Sequence, residues 1–185
     1  MITRNIIIYK ILIPALKRLY KVDYDNIRFG VSERNICARL AHHMENIMRA
    51  YDFINTSSYF KNYYADVEYN RMGNGDLKMY ENSEKELKYM VCDLLIQSRG
   101  EEPNYLAVEM KRTINNSNVK EDMDRLASMV SSANHETETR CVHDTIVGAF
   151  IVYDPNGVNI QLFENVNGEG QITDTINLHN EELLP

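Results

Sequence analysis

Two stretches of the chain repeat apolar residues at the spacing of an α-helix. In the first, residues 31–51, the apolar positions are Ile36, Leu40, Met44, Ile47 and Tyr51. In the second, residues 117–132, they are Val119, Met123, Leu126 and Val130. Steps of three and four residues place side chains on one helical face, so each stretch predicts an amphipathic helix. Ser32 is a favourable N-cap for the first helix, and Asn118 and Glu121 have capping-box spacing in the second.

Other stretches have the patterns of β-strands. They span residues 63–71, 89–97, 105–112 and 145–153, and a more exposed strand follows the turn sequence DPNG. Apolar and polar residues alternate in 63–71, and the turn-forming sequence MGNGD follows it at 72–76. The stretch 145–153 is continuously apolar, which suits a strand covered on both faces. The order of helix, three strands, helix and two strands predicts an α/β or α+β chain with one central mixed sheet flanked by helices.

The length of the chain suits a single domain. Its 185 residues, of which 44% are hydrophobic, can bury a substantial core. We divide it into an apolar and basic N-terminal extension at 1–30, a core at about 31–163 and a C-terminal tail at 164–185. Lys10 interrupts the apolar extension, so no uninterrupted span reaches bilayer length. The extension is expected to pack on the domain, and the alternatives are a membrane-surface helix, a partner helix or a homodimer contact.

Cysteine content and charge limit the location and the partners. The three cysteines form no C-x-x-C pair, which argues against a disulfide framework and a zinc knuckle and leads us to expect a cytoplasmic protein. The net charge of −7 counts against a nucleic-acid partner unless a local basic patch meets the phosphates. Two bound divalent cations would change this charge to −7 + 4 = −3. The objection to a nucleic-acid partner therefore weakens if the chain binds metal.

Charged residues interrupt two of the predicted strands. Asp93 lies within 89–97, while Glu109 and Lys111 are two residues apart and share one face of the next strand. Strands joined by a short loop usually pair, so these three side chains are expected to lie together. Such a set can hold Mg²⁺ and orient or deprotonate a water for hydrolysis of a phosphodiester. The alternative is a cross-strand salt bridge among the three residues.

Glu33 is a fourth candidate. At about 100° per residue it lies at the centre of the apolar face of the helix 31–51, and it therefore points inward. One interpretation is that this first-turn carboxylate interacts favourably with the helix dipole. The other is that it is a ligand aimed at the same site.

The order of these residues resembles that of a known enzyme group. Glu33 on a helix, Asp93 on a strand, Glu109 to Lys111 on the next strand and a following amphipathic helix resemble the PD-(D/E)xK nuclease superfamily. The resemblance covers roughly residues 31–163 and includes the sequences AVEMKR and ADVEYNR. Cys92 stands where the family usually has a proline before the aspartate.

The resemblance implies a fold and a chemistry. The fold is restriction-endonuclease-like, with an α-β-β-β-α-β core, and the activity is divalent-metal-dependent cleavage of DNA. Asp93, Glu109 and the backbone carbonyl of Met110 would bind Mg²⁺ or Mn²⁺. Lys111 would activate water, and Glu33 would support the site.

Other charged residues are weaker candidates. Glu68 and Asp66, on the preceding strand, either belong to the same site or are exposed strand charges. Arg112, Arg71 and Lys120 either contact phosphate or form solvated ion pairs.

Two functional hypotheses remain from the sequence. The first is a metal-dependent nuclease, and the second is an inactive nuclease-like domain that binds nucleic acid or protein. No readable arrangement of Ser, Cys and His suggests a nucleophile. His42 and His43 point about 100° apart on one helix, so we expect them at the surface or its boundary.

Overall fold

The computed structural model describes residues 2–71, 77–99, 103–113, 118–132 and 144–184. A π-helical segment at Ile6–Leu12 precedes the helices α1 (Ile13–Phe29), α2 (Glu33–Ile54), α3 (Val119–Val130) and α4 (Asn180–Leu183). The strands are β1 (Tyr64–Val67), β2 (Met79–Glu81), β3 (Leu87–Tyr89), β4 (Leu94–Gln97), β5 (Leu106–Arg112), β6 (Val147–Asp154), β7 (Gly157–Val166) and β8 (Glu169–His179). The turn predicted at 72–76 lies outside the described residues.

Six strands form one mixed sheet in the order β1-β4-β5-β6-β7-β8. Neighbours are antiparallel except β5 and β6, which are parallel and are joined by a crossover that contains α3. β2 and β3 form a separate hairpin between β1 and β4 in the chain. The predicted α/β class and the central mixed sheet are confirmed.

Each face of the sheet packs against its own helices, because side chains alternate along a strand. The face toward α1 and α2 receives, from β5, Leu106, Val108 and Met110. Ala107 points to the other face and belongs to the hydrophobic cluster that contains Leu126 of α3. Glu109 and Lys111 follow Ala107 at two-residue steps, so they lie on the α3 face.

The N-terminal segment covers the first of these faces. Its buried residues include Ile7, Ile8, Ile11, Leu12, Leu16, Leu19 and Tyr20. The hydroxyl of Tyr20 lies 2.7 Å from the carbonyl oxygens of both Asp154 and Gly157, which ties α1 to the turn after β6. The expected packing of residues 1–30 on the domain is confirmed, whereas the dimer contact stays a prediction. No helix in the described ranges is both long and apolar enough to cross a membrane.

α2 and α3 begin differently. α2 begins as predicted, because the Asn35 N–H donates a hydrogen bond to Ser32 Oγ at 3.4 Å. The capping box predicted for α3 is wrong, since Asn118 has a left-handed φ of 71° and its side chain makes no cap hydrogen bond. The buried residues of α3 are Asp122, Leu126, Met129 and Val130. The buried face of α3 is therefore rotated about the helix axis relative to the predicted apolar face, and it includes Asp122.

Strand boundaries also differ from the prediction. The strand expected over 63–71 is extended only at Tyr64–Val67, because Glu68 has a φ of 51°. β4 begins after Asp93 and does not enclose it. The sequence predicted only a tail at 164–185, whereas its described residues complete β7 and form β8 and α4.

Candidate active site

The pairing of β4 with β5 brings Asp93 and Glu109 to neighbouring strands. Leu94 pairs with Val108 in the antiparallel register, and one further step along both chains sets Asp93 opposite Glu109. Directly opposed residues of an antiparallel pair have neighbouring side chains. The expectation that adjacent strands carry these two carboxylates is confirmed, with Asp93 at the entry to β4.

Asp93 is anchored to the neighbouring strand. Its Oδ2 accepts a hydrogen bond from the Met110 N–H at 2.7 Å. The N–H and C=O of one residue in an extended strand point to the same side, so the Met110 carbonyl also faces Asp93. Burial raises the pKa of Asp93, and this hydrogen bond and the charge of Lys111 only partly oppose it.

Glu109 is the most deeply buried carboxylate of the site. Only 1% of the residue is exposed, and its Oε1 accepts a hydrogen bond from Arg125 Nη1 of α3. Burial raises the pKa of Glu109 well above its ordinary value, although Arg125 opposes the shift. Asp93 adds to the shift, because a second nearby negative charge disfavours ionisation.

Lys111 is paired with α3. Its Nζ lies 3.2 Å from Oδ2 of Asp122, a residue that is 4% exposed, and Arg125 Nη1 lies 3.4 Å from the other oxygen of the same carboxylate. Burial lowers the pKa of Lys111, but the carboxylates of Asp122 and Asp93 outweigh it, so the pKa is raised. Lys111 is therefore an ammonium at neutral pH.

Glu33 joins the start of α2 to the end of β5. Its Oε1 accepts a hydrogen bond from the Arg112 N–H at 3.0 Å. Its negative charge contributes to the raised pKa of Asp93. We call Glu33, Asp93, Glu109, Lys111, Asp122 and Arg125 together the candidate site.

Glu68 and Asp66 have their own ion-pair partners. Glu68 lies 2.9 Å from Arg34 Nη2, and its N–H donates to the Asp93 carbonyl at 3.3 Å, so its backbone, more than its carboxylate, supports the site. Asp66 forms an ion pair with Arg99 and accepts a hydrogen bond from the Gln97 side chain at 3.0 Å.

The three basic residues expected to contact phosphate lie in different surroundings. Arg112 is half-buried, and its guanidinium packs so closely on Gly30 that a Cβ there would lie 1.8 Å from Nη1. Lys120 is exposed and lies 3.8 Å from Glu84, as the solvated-pair interpretation predicts. Arg71 is exposed and pairs through its backbone with Leu77.

Sequence reasoning missed two residues of the site and misplaced a histidine. Asp122 and Arg125 were missed because the apolar stripe predicted for α3 leaves them out, although their three-residue spacing beside Leu126 signals a charged pair on one face. His43 is buried, against expectation, because its Nε2 meets Asp23 Oδ2 at 2.7 Å. We call Asp23, Arg39 and His43 the Asp23 cluster.

Metal ligands do not converge in the described part of the chain. No group of three His, Cys, Asp or Glu side chains there is arranged to hold a metal ion. The geometry shows why, since Glu109 is turned to Arg125, and Asp122 lies between Lys111 and Arg125. Comparison of the chain with protein-family models, curated proteins and solved structures finds no match. Function must therefore be inferred from the site itself.

Proposed function

We propose that this protein is a divalent-metal-dependent nuclease that hydrolyses phosphodiester bonds, with DNA as the expected substrate. The observation that carries the proposal is the hydrogen bond from the Met110 N–H to Asp93 Oδ2. It fixes a carboxylate beside the strand on which Glu109 and Lys111 share one face. The described residues do not form the cross-strand salt bridge among Asp93, Glu109 and Lys111, because Glu109 pairs with Arg125 and Lys111 pairs with a carboxylate of α3. Asp93 has a backbone donor instead, and burial raises its pKa.

The order of elements around the site supports the same proposal. α2, β1, β4, β5, α3 and β6 follow one another in the α-β-β-β-α-β order of restriction-endonuclease-like domains, with the β2–β3 hairpin inserted after β1. β5 and β6 are the parallel pair, and α3 lies between them in the chain. Both acidic strands are thus in the middle of the sheet, where helices cover them.

Two carboxylates and one carbonyl form the proposed metal site. Asp93, Glu109 and the Met110 carbonyl would hold Mg²⁺ or Mn²⁺, since these hard cations prefer oxygen ligands and commonly use one or two carboxylates. The raised pKa values fit this role, because a bound cation would relieve the cost of two buried negative charges. When bound, the ion supplies a water of lowered pKa and neutralises charge on the phosphate.

Lys111 has the role of a charged donor in this proposal. Its raised pKa keeps it protonated, so it can donate hydrogen bonds to the attacking water or to a phosphate oxygen but cannot accept a proton while paired with Asp122. Glu33 has a positioning role, because its bond to the Arg112 N–H holds the end of β5 against α2.

Cleavage assays with matched variants test this proposal. Purified protein is incubated with plasmid and with single- and double-stranded DNA and RNA oligonucleotides, in Mg²⁺, Mn²⁺ or EDTA. We expect DNA cleavage with either metal and none with EDTA. Asp93→Asn and Lys111→Ala should each lower the rate by at least about 100-fold, the usual contribution of a positioned catalytic group.

Exposed residues of the same types provide the controls. Asp25→Asn and Lys61→Ala remove equivalent charges at exposed positions and should leave the cleavage rate unchanged. Calorimetry separates the two site variants, since Asp93→Asn should lose Mg²⁺ binding and Lys111→Ala should keep it. Cleavage that persists in EDTA or in Asp93→Asn would sink the proposal.

A binding module is the second candidate function. The observation that favours it is the pairing of Glu109 with Arg125 and of Lys111 with Asp122, which compensates most of the charge of the site without metal. A module of this kind would bind oligonucleotides equally well in Mg²⁺ and in EDTA and would cut none of them. Fluorescence anisotropy with labelled oligonucleotides distinguishes it from the nuclease.

A further inference from the structure

Arg125 occupies the position at Glu109 where the proposed metal would bind. Its Nη1 forms the ion pair with Glu109 Oε1, and only 12% of the Arg125 side chain is exposed. The candidate site as a whole has four carboxylates and two cations, a formal charge of −4 + 2 = −2. Removal of Arg125 would leave −3, which favours the binding of a divalent cation.

Arg125 is held at the site by α3 and by the β2–β3 hairpin. Asp122 lies one helical turn before it, and the Arg125 guanidinium lies 5.5 Å from the centre of the Tyr80 ring of β2. The Tyr80 hydroxyl in turn donates to Glu121 of α3 at 3.2 Å. Arg125 thus has a second acceptor and an aromatic support within reach, so it can leave Glu109 and remain packed.

The hydrogen bonding of this group is incomplete. Among the described residues, Arg125 Nε is buried without a hydrogen-bond partner, while Arg125 Nη1 lies near both Glu109 and Asp122. A buried donor without a partner costs stability. The pairing with Glu109 therefore leaves part of the guanidinium unsatisfied, and Asp122 is a second partner within reach.

We propose that Arg125 is an internal counter-ion that competes with the divalent cation for Glu109 and moves to Asp122 when the metal binds. A guanidinium and a divalent cation at one carboxylate repel each other, so each weakens the binding of the other. Asp122, already 3.4 Å from Arg125, then takes the guanidinium as its main partner. The exchange rests on the proposed function and makes Arg125 a positioning residue that sets the affinity of the site for metal.

Isothermal calorimetry with Mg²⁺ tests the exchange without any substrate. Arg125→Met, which keeps the length and loses the charge, should bind Mg²⁺ about tenfold more tightly than wild type, equivalent to about 1.4 kcal/mol of removed competition. Its melting temperature in EDTA should fall, because Glu109 loses its counter-ion. A purely structural arginine would give the opposite metal result, since its loss would loosen the site and weaken binding. Lys120→Met, on the exposed side of the same helix, is the control and should bind as wild type does.

A second variant keeps the test decisive if Arg125→Met does not fold. Asp122→Asn removes the negative charge of the alternative partner, so Arg125 stays at Glu109 and Mg²⁺ should bind several-fold more weakly. Arg125→Met that binds Mg²⁺ no more tightly than wild type, or Asp122→Asn that binds it equally well, overturns the exchange. If wild type cleaves DNA with Mg²⁺ under that result, the exchange alone has failed. If no variant binds Mg²⁺ and wild type does not cleave, the proposed function fails with it.

Discussion

The Asp23 cluster and the candidate site are both largely buried groups of charge, yet the pKa values of their carboxyl groups are shifted in opposite directions. In the Asp23 cluster each carboxylate oxygen has its own donor, Arg39 Nε at 2.7 Å and His43 Nε2 at 2.7 Å. Burial raises the pKa of Asp23, but these hydrogen bonds outweigh it, and the pKa is lowered. Because the ionised carboxylate can only accept, His43 Nε2 carries the hydrogen.

In the candidate site burial outweighs the donors. Asp93 has a backbone N–H, and Glu109 has Arg125, but the pKa of each carboxyl is raised. Ionised Asp23 stabilises the fold, whereas ionised Asp93 and Glu109 are held at a cost in stability. Functional sites commonly hold such charge, because a ligand can relieve the cost. The charge of Asp23 therefore has a structural role, whereas the charges of Asp93 and Glu109 are of the kind that a bound ligand would stabilise.

The largest expected difference between the two regions is in stability. Asp23→Asn should lower the free energy of unfolding by about 2 kcal/mol, because Arg39 and His43 lose the charged group to which they bond. For a chain of this length the melting temperature should fall by about 4–8 °C. Asp93→Asn should leave metal-free stability unchanged or slightly higher, since it removes an uncompensated buried charge. Urea unfolding of both variants in EDTA measures the difference.

Asp25→Asn is the control for this comparison. Asp25 is an exposed residue of α1, two positions from Asp23, and its change should shift the free energy by less than about 0.5 kcal/mol. Equal losses from Asp23→Asn and Asp93→Asn would remove the distinction between the regions and would make Asp93 a structural ion-pair partner.

Local patterns predicted α2, α3 and five of the six strands of the large sheet, β1, β4, β5, β6 and β7. The Ser32 cap, the apolar face of α2, the alternation in β5 and the apolar run of β6 each depend on residues close in sequence. β8 was not predicted, because most of its residues are exposed and give no clear hydrophobic pattern. Its strand conformation depends on its pairing with β7.

The candidate site was predictable only in part, for the same reason. Asp93, Glu109 and Lys111 share adjacent strands, so their grouping follows from the chain order. The partners of Glu109 and Lys111 lie on α3. The sequence pattern does not predict how that helix is rotated about its axis, so these pairs could not be predicted. His43 was misplaced likewise, because Asp23 meets it only after α1 and α2 pack together.

Divalent metal should distinguish the regions by a smaller amount. With 10 mM Mg²⁺ and a Kd of roughly 1 mM, binding to the folded state adds RT ln(1 + [L]/Kd), about 1.4 kcal/mol. That corresponds to a rise of about 3–6 °C in melting temperature. Differential scanning fluorimetry with Mg²⁺ and with EDTA measures the rise.

The variants of the two regions should respond to metal in opposite ways. Asp93→Asn should abolish the rise, because it removes a ligand charge, while Asp23→Asn should keep it from a lower starting temperature. An equal rise in melting temperature in wild type and Asp93→Asn would show that Mg²⁺ binds elsewhere. The raised pKa of Asp93 would then not indicate a metal site.

The pH dependence of stability is the finest comparison of the two regions, and in it a single carboxyl group changes the slope by at most one proton, about 1.4 kcal/mol per pH unit. Asp23, whose pKa is lowered in the fold, binds fewer protons than in the unfolded chain, so its contribution is lost as the pH falls below its ordinary value of 3.8. Asp93 and Glu109, whose pKa values are raised, bind more protons in the fold, so stability without metal should fall as the pH rises above their ordinary values of 3.8 and 4.5.

Urea unfolding in EDTA from pH 3 to pH 8 measures both effects. Asp23→Asn should flatten the acid side of the plot of stability against pH, and Asp93→Asn should flatten the side at higher pH. Mg²⁺ should oppose the fall above pH 4.5 in wild type, because the metal binds the ionised carboxylates that the empty fold disfavours. If Asp93→Asn instead flattened the acid side, the pKa of Asp93 would be lowered, and the two regions would be of one kind.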